Sequence, residues 1–459
     1  MSELLSEKFL DLEYEIEDYN FKEEEIGDID SDEWMKALPD EYREQLRKEY
    51  REWLKNKKDT DITIDEVKDS IMNDLNFLHT MSAEEYTLYR KWEEIHRKYP
   101  KKQRLIHNFW DLEEVPDYPE LLTIKNNIWI PKDVNDYKNL EPELLLCNDN
   151  KELTNTWNIL RTFTSTQINN TNIGRNLFFI IIDKITKKYI GIINVSSDFM
   201  DLTPRDKYIG WNKEQKTTKR MINHTAIGST IIPMQPLGYN YLGGKLIALL
   251  TISDVVENAW NNKYDTENMP SKLVGMTTTS LYSSFSQYNN LMYWIKRGHS
   301  AGSIKYEVSR ETLNKVKQYL QREYPLKYWE WYIATEPQGM PLKRDFKQRS
   351  LSFIYKKLKI DKKYYETNHS RGIYFCHFYE NTREFLRMEI TEKELIRRKD
   401  FNNSVDYLTE VWKERYAKKR VENFKSQGKE FDNSTLFYDD IINMTWEETK
   451  EKYLNQVGR

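Results

Sequence analysis

The stretch PMQPLGYNYLGGKLIALL, Pro233–Leu250, is decisive for the fold because it gathers three glycines into one short loop. The chain has only 15 glycines in 459 residues, so the grouping of Gly238, Gly243 and Gly244 needs a reason. The loop follows the apolar run AIGSTIIPMQ and opens an apolar segment with helical periodicity. Glycines in such a place let backbone N–H groups approach a phosphate, to which a helix N-terminus adds partial positive charge. A tight strand-to-helix turn would need the same glycines, so both interpretations stay open.

The segments around this glycine loop alternate between helical and β-rich patterns. The predicted elements, in order, are a helix in LTNTWNILRTFTST (Leu153–Thr166), a hairpin in NLFFIIIDKITKKYIGIINVSS (Asn176–Ser197), the strand AIGSTIIPMQ, the helix LIALLTISDVVENAWNNKY, the strand KLVGMTTT, the helix SQYNNLMYWIKRG ending at Gly298, and a last strand, SIKYEVS. A strand followed by a helix and another strand favours a parallel crossover. The predicted fold class is α+β, a mixed central sheet flanked by helices, with mostly helical N- and C-terminal extensions. An aromatic β-like stretch, RGIYFCHFY, lies in the C-terminal region.

This order of elements resembles the GNAT acetyltransferase fold, in which a strand leads into a glycine-containing loop and a helix that hold the pyrophosphate of an acyl-CoA. The resemblance implies a donor such as an acyl-CoA or the end of an aminoacyl-tRNA, with its phosphates against Gln235, Gly238, Gly243, Gly244 and Lys245. Asn240 departs from the family pattern, which has Gly or Ala at that position.

The same resemblance implies catalytic residues. GNAT enzymes often place a tyrosine on the last helix of the site as general acid for the leaving thiolate, and Tyr288 and Tyr293 lie in the predicted helix there. Each would alternatively pack in the apolar stripe of that helix. His224 precedes the central strand and is a third candidate, near the mouth of the glycine-loop site. The histidines and cysteines show no metal-ligand spacing, so no metal is predicted.

A second resemblance rests on TPRDKYIGWNKEQKTTKRMINHTAIGSTIIP, Thr203–Pro233. This stretch resembles the DruA-like family of the Druantia phage-defence system. The family pattern is an Arg-Asp pair, then Ile-Gly-Trp, a basic helix, an Asn and an apolar strand that ends in Pro. The matching residues are Arg205, Asp206, Ile209, Gly210, Trp211, Asn223 and Pro233. The similarity extends over about residues 143–309. The segment with Trp294 and Gly298 is also distantly similar to the Mom proteins of phages, which have a GNAT-like fold and modify adenine in DNA.

Charged residues near this motif have alternative roles. Arg205 either forms an ion pair with Asp206 that fixes the chain, or it meets a phosphate. Arg175 has the same two interpretations. Asp198 and Asp201 follow the hairpin, where exposed loop carboxylates are the default and a base acting on a nucleophile is the alternative.

Charge is unevenly distributed along the chain. Residues 1–40 carry 15 Asp/Glu against 3 Lys/Arg, whereas Pro341–Lys363 carries nine Lys/Arg against two Asp/Glu. The basic segment includes aromatic residues, a composition that neutralises phosphates and stacks bases, although an amphipathic helix with a solvated basic face has the same pattern. Its candidate nucleic-acid ligands are Lys343, Arg344, Lys347, Arg349, Lys356 and Lys357. The acidic arm is a candidate for covering this segment or for binding a protein partner.

These patterns predict four regions: an acidic helical or flexible arm at 1–60, a helical region and connector at 61–142, the core at 143–309, and a basic, mostly helical region at 310–459. No run of about 18 apolar residues is present, and the N-terminus lacks a signal-peptide layout. We therefore expect a cytoplasmic protein of a bacterium or phage-infected host, without a membrane span. Cys147 and Cys376 are expected to be buried free thiols.

The leading functional hypothesis is a GNAT-like transferase that acts on or with nucleic acid, with DNA as the favoured partner. One alternative is a non-enzymatic DNA-binding component of a phage or defence system that keeps the fold. Another is a protein-interaction module that uses the acidic arm. The phage and defence context comes from the resemblances alone.

Overall fold

The structure, a computed structural model, describes residues 40–58, 60–100, 118–166, 174–280, 286–300, 305–335, 346–366 and 370–457, and the backbone of two short strands between residues 101 and 118. The acidic arm that precedes Asp40 lies outside these residues, and so do Lys343 and Arg344.

The chain is rich in helices. The α-helices are α1 Asp40–Asn56, α2 Ile64–His79, α3 Ala83–Lys98, α4 Pro119–Asn126, α5 Lys151–Thr164, α6 Thr203–Ile209, α7 Leu237–Tyr241, α8 Gly243–Leu250, α9 Asp254–Tyr264, α10 Arg310–Glu323, α11 Pro325–Tyr332, α12 Phe346–Lys357, α13 Lys362–Tyr365, α14 Thr382–Leu386, α15 Val405–Trp412, α16 Lys418–Ser426 and α17 Trp446–Tyr453. Short 3-10 or π turns occupy Asp136–Asn139, Glu214–Thr218, Met221–His224, Glu392–Glu394, Lys413–Ala417, Tyr438–Asn443 and Leu454–Gln456. The strands are β1 Lys102–Leu105, β2 Leu112–Val115, β3 Pro142–Leu146, β4 Asn176–Asp183, β5 Tyr189–Ser197, β6 Thr225–Pro233, β7 Gly275–Thr279, β8 Ile295–His299 and β9 Gly372–His377.

A seven-stranded mixed sheet forms the centre of the fold, with the strand order β3-β4-β5-β6-β7-β9-β8. β6 and β7 are parallel, and the other neighbouring pairs are antiparallel. The crossover from β6 to β7 contains α7, α8 and α9, as the sequence predicts. β1 and β2 form a separate antiparallel ribbon. The predicted α+β class, with a mixed sheet flanked by helices and mostly helical extensions, is therefore confirmed.

Apolar side chains cover both faces of this sheet, because successive side chains of a strand point to opposite faces. On one face, Ile247 of α8, Trp260 of α9 and Trp412 of α15 belong to one large core. On the other face, Ile209 of α6 and Phe385 of α14 pack in a smaller core that includes Phe375 of β9. Helices α6 and α14 are thus held on the same face of the sheet.

The chain divides into two compact units. The first contains residues 1–80 and 304–367, and its described part is helical, with α10 packed on α2, α11 and α12. Within it, Tyr50 packs edge-on against Trp329, with the ring centroids 5.3 Å apart. The second unit contains residues 81–303 and 368–459 and includes the whole seven-stranded sheet.

Several predicted elements are confirmed in the second unit. The helix predicted at Leu153–Thr166 is α5, and the predicted hairpin is formed by β4 and β5. The strand KLVGMTTT contains β7, and the aromatic β-like stretch RGIYFCHFY contains β9. Cys147 and Cys376 are free and buried, as expected.

The prediction of a helix in SQYNNLMYWIKRG is wrong. Its first part forms turns, and its last part is the edge strand β8, which pairs with β9. Asn290 and Tyr293 have φ angles of 53° and 71°, which a continuous right-handed helix excludes. Gly298 lies within β8 rather than at a helix C-terminus. Tyr288 and Tyr293 are therefore presented by turns and not by a helix face.

Two further elements differ from the prediction. The single helix predicted in LIALLTISDVVENAWNNKY is interrupted by the turn at 251–253, in which Thr251 Oγ1 donates to Ile247 O at 2.8 Å. The last strand predicted in SIKYEVS is represented, among the described residues, only by an isolated bridge between Lys305 and Glu366. The strand that completes the sheet is instead β9, which lies between β7 and β8.

Candidate functional site

The glycine loop joins the end of β6 to α8 through the short helix α7. A Cβ atom added at Gly238 would come 2.6 Å from Gln235 Nε2, and one added at Gly243 would come 2.7 Å from Leu237 Cγ. Leu242, between the two helices, has a φ angle of 55° and so turns the chain from α7 into α8. Close packing in a tight turn therefore accounts for Gly238 and Gly243.

Gly244, the second residue of α8, faces the side chain of Gln287. A Cβ atom at Gly244 would lie 2.3 Å from Gln287 Oε1, so the amide lies against the first turn of α8. Gln287 Nε2 donates to Ile231 O at 3.0 Å and to the Tyr288 hydroxyl at 3.1 Å. No side-chain hydrogen bond caps α8 at Leu242. The Gln287 amide therefore occupies the approach by which an anion would reach the N-terminus of this helix.

Lys245 is turned toward the same segment. Its ammonium donates to Gln287 O at 3.0 Å and also to Asn289 O, and it lies 5.2 Å from the ring centroid of Tyr416. Burial, together with the charge of Arg415, lowers the pKa of Lys245 to about 8. The donors of Lys245 are thus used within the chain.

β6 and β7 pair only at their beginnings. Thr225–Gly228 of β6 pairs with Gly275–Thr278 of β7, whereas β6 continues beyond this pairing. Tyr288 lies where the pairing stops, with its hydroxyl 3.3 Å from Thr278 Oγ1. Burial raises the pKa of Tyr288, so the hydroxyl stays protonated at neutral pH. We call this place, where β6 leaves β7 beside Gln287 and Tyr288, the β6–β7 junction.

The other two predicted catalytic residues make their contacts elsewhere. The Tyr293 hydroxyl donates to Asp400 O at 2.7 Å. His224 precedes β6, at the opposite end of the strand from the glycine loop, and its Nδ1 lies 3.0 Å from Lys272 O. Burial lowers the pKa of His224, so the ring is neutral at pH 7. Of the three residues, only Tyr288 lies at the glycine loop.

Arg205 is fully buried in a network of charges. Its guanidinium contacts Asp198 Oδ1 at 2.6 Å and donates to Asp206 Oδ1 from Nε (2.8 Å) and Nη2 (2.6 Å). Lys216 donates to the second oxygen of Asp206 at 2.9 Å, and Thr277 Oγ1 donates to Asp198 at 2.7 Å. Burial raises the pKa of Asp198, against the opposing effect of Arg205. Of the two alternatives for Arg205, the structure shows the ion pair with Asp206. The prediction that Asp198 is an exposed loop carboxylate is wrong, because its side chain is buried.

Arg175 is partly buried and makes its contacts within the chain. Its Cζ atom is 4.7 Å from the ring centroid of Trp260 and 5.7 Å from that of Tyr264, and its Nη1 donates to Asn223 O at 3.0 Å. Burial lowers the pKa of Arg175 to about 10. The side chain thus connects the start of β4 with the turn before β6, and its partner is the Asn of the family-like motif.

Part of the basic segment forms α12 in the first compact unit. The predicted ligands on this helix are Lys347, Arg349, Lys356 and Lys357. Lys347 Nζ lies 2.5 Å from Glu307 Oε2, and Lys357 Nζ lies 5.1 Å from the ring centroid of Tyr324. Phe353 and Ile354 of the same helix are buried. The helix is therefore amphipathic, with basic side chains beside a buried apolar stripe.

Two absences concern only the part of the chain that the structure describes. No group of three or more His, Cys, Asp or Glu residues there is placed to hold a metal ion. No helix in that part has the length and apolar character needed to span a bilayer. The acidic arm, predicted to contact a protein partner or the basic segment, lies outside it.

Comparison with known proteins identifies one family. The family model described as "Druantia protein DruA" matches residues 93–388, a range that includes the glycine loop, Tyr288 and Arg205. A curated protein of the same name from Escherichia coli (strain UMEA 4076-1) is 28% identical over 160 residues, which cover 32% of this chain and 39% of that protein. The chain thus aligns with less than half the length of this relative. No solved structure matches the chain.

Proposed function

The chain belongs to the DruA family, and from this premise we propose that it is a component of Druantia-type anti-phage defence that transfers a chemical group to nucleic acid. Family membership supports the defence role. The β6–β7 junction supports the transfer chemistry, because a parallel strand pair, a helix that begins with two glycines and a buried tyrosine hydroxyl meet there. This meeting is the observation that carries the proposal.

An acyl-CoA or the end of an aminoacyl-tRNA would supply an activated acyl group for such a transfer. Gly243 and Gly244 suit the phosphates of either donor, because uncapped backbone N–H groups begin a helix there. The Gln287 amide lies at this position, so the residues fit a phosphate only when that side chain turns away. Turning breaks two hydrogen bonds of Gln287 Nε2, those to Ile231 O and to Tyr288.

Tyr288 is the residue to which we assign proton transfer. Its raised pKa keeps the hydroxyl protonated, as a general acid requires. The hydroxyl accepts a hydrogen bond from Gln287 Nε2 at 3.1 Å. Because the hydroxyl also accepts from Thr278 Oγ1, neither bond engages its own proton, which can be donated to a leaving group. Movement of the Gln287 side chain would therefore make room for a phosphate beside a hydroxyl whose proton is already available.

A second candidate is a nucleic-acid-binding component of the same defence system that performs no transfer. The contacts of Lys245 and Gln287 favour it, because both side chains use their polar atoms within the chain and close the glycine loop. In this function the glycines serve only the tight turn.

Phage plating separates the two candidates. In a phage-resistant strain that carries this chain, the transferase predicts that Tyr288→Phe abolishes resistance, because the hydroxyl is lost while the ring still packs 5.1 Å from that of Tyr374. Tyr293→Phe is the matched control, since it also removes one hydroxyl, which donates to Asp400 O and accepts from Asn402 N away from the junction. Resistance that survives Tyr288→Phe would reject the transferase in favour of the binding component. Resistance that survives deletion of the chain would reject the defence role itself.

A further inference from the structure

Arg297 is the extra residue of a β-bulge on the edge strand β8. The pairing of β8 with β9 shifts register between Lys296 and Gly298, so Arg297 has no residue opposite it. Gly298 has a φ angle of 148°, and a Cβ atom there would come 3.0 Å from Pro204 Cβ, so the bulge brings β8 close to α6. Bulges re-aim side chains beside functional sites. This bulge directs Arg297 toward α6.

The ring of Tyr208 on α6 brings two arginines together. Arg297 Cζ lies 3.4 Å from the ring centroid, and Arg383 Cζ, from α14, lies 5.0 Å from it. Both arginine side chains are partly exposed. Burial lowers the pKa of Arg297, and the charge of Arg383 lowers it further. Two like charges beside one ring repel each other, and an anion bound to both would offset the repulsion.

Polar atoms of this cluster lack partners among the described residues. The Nε atoms of Arg297 and Arg383 are buried and make no hydrogen bond. The same holds for Nδ1 of His377, on the neighbouring strand β9. Buried donors without a partner are rare in native proteins, and each calls for an explanation such as an ion that binds there.

The carboxylates around the cluster are bound by other arginines. Arg387 donates to both oxygens of Glu389, at 2.7 and 2.8 Å. Arg398 donates to both oxygens of Asp400, at 3.0 and 2.7 Å. These side chains satisfy one another in pairs, whereas Arg297 and Arg383 both contact the ring of Tyr208 and have no carboxylate partner among the described residues.

We infer that Arg297, Arg383 and Tyr208 form a binding site for a phosphate group. The guanidinium fork binds phosphate oxygens through paired N–H···O bonds, and stacking on an aromatic ring fixes the plane of the fork. A phosphodiester of nucleic acid and the phosphates of a nucleotide share this chemistry. The choice of nucleic acid as the first source rests on the proposed function, but the site requires no group transfer.

Fluorescence anisotropy with a labelled DNA duplex of about 20 base pairs tests the site, as a function of salt. Arg297→Gln and Arg383→Gln are each expected to weaken binding about tenfold. Each is also expected to reduce the slope of log affinity against log salt by about one. Arg420→Gln is the matched control, because Arg420 stacks 4.1 Å from the Phe424 ring centroid but donates to Tyr239 O. It removes the same charge and is expected to leave binding unchanged.

Protection from phenylglyoxal on the wild-type protein identifies the source of the phosphate and needs no variant. Duplex DNA, ATP and inorganic phosphate are added separately, and modification of Arg297 and Arg383 is measured by peptide mass spectrometry. Protection by DNA supports the nucleic-acid source; protection by ATP or phosphate alone supports a nucleotide source, and the site stands. If none of the three protects the two arginines, the site is overturned.

The two measurements also separate this inference from the proposed function. If Arg297→Gln and Arg383→Gln melt like the wild type and bind DNA as tightly as Arg420→Gln, DNA is rejected as the source of the phosphate. Protection from phenylglyoxal by ATP or inorganic phosphate then decides whether the site binds a phosphate group. If a variant melts early, protection of the wild-type protein decides alone. Protected arginines with no transfer activity would reject the transferase and keep the phosphate site.

Discussion

Gln287 lies so close to Gly244 that a Cβ atom added at Gly244 would come within 2.3 Å of the Gln287 side-chain oxygen. The same amide donates to Ile231 O, on the part of β6 that has no β7 partner. One side chain therefore closes both the first turn of α8 and the β6–β7 junction. Whether Gln287 can turn away decides between a transferase and a binding component.

Gly244→Ala is expected to displace Gln287 at little cost in stability. The atom nearest to the new methyl group is the end of a flexible side chain. The two lost hydrogen bonds cost about 1 kcal/mol each, and the helix preference of alanine over glycine offsets about 1 kcal/mol of this. Urea unfolding measures the change.

Gly191→Ala is the control for that substitution. Its methyl group would meet Ile247 Cδ1 at 2.4 Å and the backbone oxygen of Ile232 at 3.1 Å, inside a packed core. Overpacking of this kind costs about 1–3 kcal/mol. Equal losses for Gly244→Ala and Gly191→Ala would mean that Gln287 is held rigidly, contrary to our account.

Arg205→Met is expected to destabilise the fold by about 3–5 kcal/mol, because it leaves the buried carboxylate of Asp198 without its countercharge. Chemical denaturation monitored by tryptophan fluorescence gives the free energy of unfolding. Lys187→Met is the control, since its pair with Glu143 is exposed and such pairs contribute less than about 1 kcal/mol. Similar losses for both variants would show that the Asp198–Arg205 pair is not the anchor described here.

His377 predicts a dependence of stability on pH. Burial, with the charges of Arg398 and Arg297, lowers its pKa from 6.5 to about 4. Between these two values the unfolded chain binds more protons at this residue than the folded chain does, so stability rises with pH. The contribution of His377 is therefore complete above pH 6.5 and is lost as the pH falls toward 4.

Unfolding midpoints at several pH values test this prediction. His377→Gln should flatten the curve between pH 4 and 6.5 relative to the wild type. His79→Gln, which changes a histidine in the first compact unit, provides the comparison. A curve that keeps its full slope in His377→Gln would assign the dependence to other groups.

Much of the fold was accessible from the sequence. Alternating apolar residues indicate β4 and β5, and the order of strand, glycine loop, helix and strand indicates the parallel crossover between β6 and β7. The pattern of SQYNNLMYWIKRG misleads because a helix and a turn followed by a strand share its apolar spacing. The positive φ angles of Asn290 and Tyr293 exclude a continuous helix. The residue types in this segment do not predict those angles.

The candidate site was less accessible. The glycine loop and Tyr288 have sequence signals, but Gln287 has none, because its position depends on how the turn at 287–290 packs against β6. The cluster of Arg297 and Arg383 joins residues that are far apart in the chain, and β9 must lie between β7 and β8 for it to form. The periodicity of one segment does not show which distant segment of the chain pairs with it.

The most direct test of the central claim is mass spectrometry of nucleosides from the DNA and RNA of cells in which the chain supports phage resistance. Wild type, Tyr288→Phe and Tyr293→Phe are compared. We predict a nucleoside of new mass with the wild type and Tyr293→Phe that is absent with Tyr288→Phe, and its added mass would identify the transferred group. Identical nucleosides in resistant wild-type cells and in Tyr288→Phe cells would contradict the transferase and leave the binding component as the function.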